Sequence, residues 1–383
     1  MERSELIEVL RLTGCAEERA GCVLMTDPKW SGADRAEADR IVAMTRSRAI
    51  SPGEQPGWLG VRTGGSGGGV KFARHDEQTF TAAVRGFQAH FGLAQINAVD
   101  VLPAHHISGL MARVRCAATG GRHVSWDWKR LEAGDAPVLG AGLDWVISLV
   151  PTQLQRLLNN DAATQWLRGF RIIFLGGGPT WPALAEAAAA AGLSISLSYG
   201  MTETAAMVTA LSPADFLAGD RSCGPALPHA RVSVDEAGVV RVAGESIFRG
   251  YFPDFSDRRE FITDDLGQFD ARGHLQVHGR RETVIITGGK KVHPADVEAA
   301  LRTSGAFSDV AVIGLPDPIW GEQVVACYES FTPGPPPDMA RAVAPLAGYQ
   351  RPKRFVAVTP WPRNAQGKLD RHALLAAVLN AGA

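Results

Sequence analysis

The segment Ser198-Tyr199-Gly200-Met201-Thr202-Glu203-Thr204 gathers an aromatic ring, a glycine, hydroxyls and a carboxylate in one turn directly after a Leu/Ile/Ser strand. Each type suits a different part of a nucleotide. An aromatic face can stack on a base, and a glycine lets backbone come close to a ligand. A threonine hydroxyl can hold a phosphate oxygen, and a carboxylate can hold Mg²⁺. Together they suggest a nucleotide pocket. A second locus, Thr63-Gly64-Gly65-Ser66-Gly67-Gly68-Gly69-Val70-Lys71, is dense in glycine and ends on a lysine. Such a loop can wrap phosphates with backbone N–H groups, and a glycine linker is the plain alternative. A Walker A loop is excluded, because Lys71 follows Val70 and precedes Phe72, and no Gly-x-Gly-x-x-Gly register fits. A third locus, Pro362-Arg363-Asn364-Ala365-Gln366-Gly367-Lys368-Leu369-Asp370-Arg371, is a polar loop with one lysine that alone reads as solvated surface.

The elements around these loci must bring them together. Arg171–Leu175 reads as a buried strand, Gly176-Gly177-Gly178-Pro179 as a turn, and an Ala-rich helix from Trp181 leads to the strand Ser194–Ser198. Ligands of such units bind where the strands end, so the glycine turn and the Tyr199 turn are expected to wall one pocket. Upstream, Gln78–Phe91 and Thr152–Asn159 read as helices and Ala98–Leu102 as a strand, which predicts α/β layers with mainly parallel pairing. Met1–Trp58 reads as mixed and helical, the packed edge of a first domain. After Ala230 come short strands punctuated by Gly, Asp and Arg, and a new pattern starts at Gly279-Arg280-Arg281-Glu282. A boundary there gives a domain of residues 1–279 and a smaller α+β domain of residues 280–383, which includes a Pro-rich loop at Thr332–Pro337.

Composition narrows the class. A chain of 383 residues with 45% hydrophobic side chains can build more than one core. A net charge of −1 offers no basis for nonspecific nucleic-acid or anionic-membrane binding. Asp144 and Glu186 interrupt the longest apolar runs, well short of the roughly 20 residues of a membrane span. Glu2, Glu5 and Glu8 do not fit a signal peptide, so the cytoplasm is the expected location. The five cysteines are scattered without Cys-x-x-Cys spacing, which supports neither a disulfide framework nor a zinc site.

Thr63–Lys71, Tyr199–Glu203, Asp265, Gly279-Arg280 and Pro362–Lys368 stand in the order and spacing of the adenylate-forming superfamily of acyl-CoA synthetases, luciferases and peptide-synthetase adenylation domains. The chain resembles that superfamily from Leu59 onward. The resemblance implies a large layered α/β N-terminal domain, a small mobile α+β C-terminal domain, and the use of ATP, Mg²⁺ and coenzyme A. It assigns Thr63, Ser66 and Lys71 to the phosphate loop, and Gly176, Gly177, Gly178 and Tyr199 to the adenine, with Gly200 and Met201 also against the nucleotide. It assigns Thr202 to the α-phosphate, Glu203 to Mg²⁺, and Asp265 and Arg280 to the ribose. Lys368 becomes the catalytic lysine, Glu282 the hinge, and Gly288-Gly289 the loop lining the pantetheine tunnel. Gly64, Gly67, Val70 and Phe72 depart from the family's phosphate loop, which shifts pyrophosphate contacts toward backbone amides. Asp264 replaces the glycine of the usual Thr-Gly-Asp. The loop also begins early, at Thr63, which implies a shortened N-terminal portion and homo-oligomer contacts as the substitute for a missing layer.

Leu102-Pro103-Ala104-His105-His106-Ile107-Ser108-Gly109-Leu110 occupies the family's acyl-pocket position. On an extended segment adjacent histidines face opposite ways and cannot share a metal, and His105 reads as structural. With Ser148–Thr152 and Phe174–Pro179, the segment from His106 to Leu110 is similar to 2-succinylbenzoate:CoA ligases of menaquinone and phylloquinone synthesis. The implied activity is an AMP-forming acid–thiol ligation of a small aromatic carboxylate. The alternatives are another aryl- or acyl-CoA ligase, a carrier-loading adenylation enzyme, or a non-catalytic nucleotide or acyl-adenylate binding module. The implied acid is a dianion, and burying its spare carboxylate needs a donor or cation. His106 and Ser108 are the candidates, with Gly109 and Gly200 lining the substrate; Arg113 is suggested by nearness in sequence alone.

Overall fold

A computed structural model describes residues 1–19, 22–46, 59–64, 70–307, 309–329, 339–363 and 369–381. Four sheets organise them. The first contains β1 (Ala16–Arg19), β2 (Cys22–Met25), β3 (Leu59–Gly64) and β4 (Val70–His75) in that order. The second contains β5 (Asn97–Asp100), β6 (His123–Ser125), β7 (Trp145–Leu149), β8 (Ile172–Leu175), β9 (Ile195–Met201) and β10 (Ala206–Ala210), in the order β10-β9-β8-β7-β5-β6. All its pairs are parallel except β9–β10. An antiparallel meander follows, with β11 (Ala230–Val234), β12 (Val239–Gly244), β13 (Glu260–Phe269) and β14 (Leu275–Arg280). The last sheet holds β15 (Ile285–Thr287), β16 (Lys290–Val292), β17 (Val310–Asp317), β18 (Gly321–Glu329) and β19 (Arg354–Val358).

The parallel sheet follows from its residues. Ile172–Leu175 is buried throughout, as a strand covered by helices on both faces must be. The helix Pro182–Ala190 begins on a proline and buries Leu184, Ala185 and Ala188 against Trp145, Ile147, Ile173 and Ile195. A fully buried leucine or isoleucine in such a packing contributes about 1.5–3 kcal/mol. The helix Glu77–Phe91 starts at Asp76, whose carboxylate accepts from the Thr79 amide at 2.8 Å, and ends at Gly92 in the left-handed region, φ 63°. No helix among the described residues is long and apolar enough to cross a membrane.

The N-terminal segment corrects the helical reading. Helices Arg3–Arg11 and Gly32–Arg46 are present, but β1 and β2 form a hairpin between them, and β2 pairs in parallel with β3. Cys22-Val23-Leu24-Met25 is a short apolar run buried at every position, which helix periodicity cannot distinguish from a strand. The Pro-rich loop at 332–337 lies outside the described residues.

Candidate active site

The Tyr199 segment differs from its sequence reading. β9 runs on through Met201, and the turn is the 3₁₀ segment Thr202–Thr204 that leads into β10. A Cβ at Gly200 would lie 2.0 Å from the Ala206 carbonyl oxygen, so only glycine allows this approach of β9 to β10. Ala205 and Ala206 sit at positive φ, 53° and 86°. Such backbone strain persists only where surroundings enforce it. Here the Thr204 hydroxyl donates to the Ala206 carbonyl at 2.6 Å while its oxygen accepts from the Met201 amide at 3.0 Å.

The Tyr199 hydroxyl donates to Asp265 Oδ2 at 2.8 Å, and Arg280 Nε lies 3.3 Å from Asp265 Oδ1. Asp265 and Arg280 are cross-strand partners on β13 and β14. The meander thus presents a carboxylate and a guanidinium to the strand carrying the aromatic ring. Burial, and then Asp265, push the Tyr199 hydroxyl well above the ordinary tyrosine range, so it stays a donor. Asp264 pairs outward with Arg281 at 3.2 Å, while Asp265 stays opposite Arg280 next to a shift of register at Leu266–Gly267.

Glu203 is buried and its Oε1 accepts from the Thr63 hydroxyl at 2.8 Å and the Tyr251 hydroxyl at 2.9 Å. No ion pair joins Glu203 to a lysine or arginine among the described residues. A buried carboxylate held only by hydroxyls suits a cation ligand of the oxygen-preferring kind. The Lys71 ammonium stands 5.6 Å from the Tyr251 ring centroid. Ser66 and Lys368 lie outside the described residues. Tyr251 was not legible in the sequence. It reaches Glu203 because Arg249–Phe252 runs beside β4, with an Ala73–Tyr251 bridge and a 2.7 Å bond from the Arg249 amide to the Arg74 carbonyl.

The glycine turn flanks the same edge of the sheet. The Gly176 amide donates to the Leu149 carbonyl at 3.3 Å, Gly177 has φ 75°, and a Cβ at Gly176 would meet the Ser198 hydroxyl at 3.1 Å. Gly176–Gly178 and the Thr202 turn therefore both lie at the carboxyl ends of neighbouring strands.

The paired histidines correct another expectation. Residues 103–106 turn rather than extend, and His106 is the N-cap of the helix Ile107–Ala118. The two imidazoles accordingly touch, edge to face, with centroids 4.3 Å apart. His105 is buried and lies 3.4 Å from Asp27, a structural arrangement; burial pushes its pKa down. Ser108 is exposed. Gly109 is buried, and a Cβ there would lie 2.5 Å from the Pro103 carbonyl oxygen, so packing alone requires this glycine. Arg113 faces Asp100 at 3.9 Å and donates to the Ser125 hydroxyl at 3.3 Å.

Arg115, two residues further along the same helix, was not singled out from the sequence. It is 4% exposed and lies over the Phe87 ring at 4.2 Å, with no carboxylate ion-paired to it among the described residues. Desolvation pushes its pKa down to about 10. Nothing in the sequence distinguishes Arg115 from Arg113, since burial decides between them.

In the C-terminal part, Glu282 is exposed on the 3₁₀ turn between β14 and β15. Gly288 and Gly289 have φ 54° and 73° in the β15–β16 turn, and a Cβ on Gly288 would strike the Trp320 ring at 2.8 Å. Both flanks of residues 364–368 are anchored. Arg363 lies 3.0 Å from Asp309 and bridges to Leu369, and Arg371 pairs with buried Glu298.

Residues 61–252 match the family described as AMP-binding enzyme, and residues 296–368 match the AMP-binding enzyme C-terminal domain. The chain belongs to the AMP-binding enzymes. It is 29% identical over 287 residues to a 2-succinylbenzoate--CoA ligase of Oceanobacillus iheyensis, covering 71% of this chain and 60% of that protein. It is 33% identical over 333 residues to a probable 2-succinylbenzoate--CoA ligase of Mycobacterium tuberculosis, covering 83% of each. The chain thus spans about 60% of the length of the first curated relatives it matches. The o-succinylbenzoate CoA synthetase of Bacillus subtilis, solved with its acyl-adenylate intermediate, superposes with TM-score 0.71 at 24% identity, over 98% of this chain and 81% of that one. This AMP-binding enzyme therefore has the adenylate-forming fold, with a large N-terminal and a small C-terminal domain.

Proposed function

We propose that the chain is an ATP-dependent acid:CoA ligase that works through an acyl-adenylate, with 2-succinylbenzoate as its acid. The observation that carries the adenylation chemistry is the bond from Thr63, at the entry to the phosphate loop, to Glu203, 140 residues away in the turn after β9. Two groups that separate motifs supply to ATP phosphates thereby meet in one place. The names of the relatives support the choice of acid. The same reading places the domain boundary between Gly279 and Arg280, with Glu282 as hinge.

The acid's carboxylate must attack an α-phosphate that is itself anionic, so neutralisation is the main requirement. Glu203 is the residue to hold Mg²⁺, which supplies positive charge to the phosphate oxygens when bound. Thr202 holds the α-phosphate, Tyr199 the adenine, and Asp265 with Arg280 the ribose, an orienting contribution. Lys368 adds an ammonium as pyrophosphate leaves. For the thioester step the small domain rotates about Glu282, Lys368 withdraws, and Gly288-Gly289 reach the pantetheine. On this basis Glu282→Pro should leave pyrophosphate exchange intact and suppress thioester formation. Unchanged overall turnover in that variant would argue against rotation.

The test of the function itself is ATP–pyrophosphate exchange across a panel of carboxylic acids, followed by CoA or carrier-protein acceptance. Exchange driven by another acid, or acceptance of a carrier alone, would replace the proposal.

A further inference from the structure

His75 closes β4, the strand that leaves the phosphate loop, and it is fully buried. Its Nε2 lies 2.8 Å from the Thr202 carbonyl oxygen, and its Nδ1 lies 3.1 Å from the Thr79 hydroxyl. A carbonyl can only accept, so Nε2 must carry the proton and Nδ1 is the acceptor. Burial pushes the pKa down to about 4, which keeps the ring neutral and this tautomer fixed. Phe80 stacks against the imidazole at 5.1 Å. The other limb of the same hairpin ends near Thr63, which donates to Glu203. Each limb of the phosphate-loop hairpin thus holds one of two consecutive residues in the turn, β3 through Glu203 and β4 through Thr202.

We infer that His75 is a positioning residue for adenylation, acting through the Thr202 carbonyl to fix the turn that presents Thr202 and Glu203 to the phosphates. The inference rests on the adenylation reaction proposed above. His75 touches neither nucleotide nor acid in this role. It supplies the second of two clamps that keep the turn at a set distance from the phosphate loop. Without it the turn retains the Glu203 clamp but gains freedom at the residue assigned to the α-phosphate. Misplacement of that kind lowers the rate of the chemical step more than it weakens binding, because adenine and ribose contacts at Tyr199, Asp265 and Arg280 remain.

Two substitutions separate this bond from general packing. His75→Gln places an amide N–H near the position of Nε2 and can still donate to Thr202. His75→Asn ends near Nδ1 and cannot reach. In pyrophosphate exchange, His75→Asn should lose roughly 10- to 100-fold in kcat with the ATP KM within about threefold, whereas His75→Gln should stay within about fivefold of the parent. Amide hydrogen exchange over residues 201–206, measured without ATP or acid, should quicken in His75→Asn and not in His75→Gln. If His75→Asn does not fold, His75→Leu, which keeps an apolar group against Phe80, takes its place. Equal behaviour of the donor and non-donor variants, or a loss confined to KM, would overturn the inference. A parent protein that exchanges no pyrophosphate with any acid would refute the adenylation reaction instead. The hydrogen-exchange comparison would still decide whether His75 holds the turn.

Discussion

Lys368→Ala should lower acyl-adenylate formation by roughly 10²-fold or more, the scale seen when a charge-stabilising donor is removed from a transition state. The same variant should convert supplied acyl-adenylate and CoA to thioester at the rate of the parent. The asymmetry follows from when charge develops. As the acid's carboxylate attacks the α-phosphate, negative charge accumulates on the phosphate oxygens and on departing pyrophosphate, and an ammonium placed there acts on the transition state more than on bound ATP. Thioester formation, on the proposed rotation, takes place after the lysine has withdrawn, so it does not draw on that ammonium. The ion pairs of Arg363 with Asp309 and of Arg371 with Glu298 anchor the described residues on either side of the lysine's loop, so the substitution should leave the small domain's fold unaltered. Pyrophosphate exchange measures the first half-reaction, and single-turnover thioester formation measures the second. Equal losses in both would show that the lysine does not act selectively in adenylation.

The gathering of polar groups was legible where a short segment concentrates them, as in Tyr199–Glu203. Pairing at a distance was not. Tyr251 and His75 meet the turn across 48 and 127 residues, and neither stands in a pattern that announces the contact. Their partners follow from the course of Arg249–Phe252 beside β4, which is a tertiary fact. The parallel sheet could be anticipated because strand and helix alternate with clean turn signals from Arg171 onward. The β1–β2 hairpin could not, since Ala16–Arg19 is polar and Cys22–Met25 is too brief for a period to be assigned. The histidine pair failed for a related reason. The two-residue alternation assumed an extended chain, and the turn before the helix Ile107–Ala118 brings the rings together. Burial separated Arg115 from Arg113, two residues that composition treats alike.

Glu203→Gln should reduce Mg²⁺-dependent adenylation by about 10²-fold while leaving the fold nearly as stable as before. The amide oxygen can still accept from Thr63 and Tyr251, so both hydroxyls keep their partner, and only the charge is removed. Glu203→Ala should share the catalytic loss and add a structural one. It orphans the buried Thr63 hydroxyl and the part-buried Tyr251 hydroxyl near the positive-φ residues Ala205 and Ala206, at a cost of about 1–3 kcal/mol in denaturant unfolding. The contrast assigns separate duties to one side chain, with hydrogen bonding holding the turn and charge serving the metal. Direct titration of Mn²⁺ with the ATP complex reads the second duty without turnover, and affinity should fall similarly in both variants. Parental exchange rates in Glu203→Gln would mean that the charge is dispensable. Glu203 would then be a buried acceptor whose only work is to join the turn to the entry of the phosphate loop.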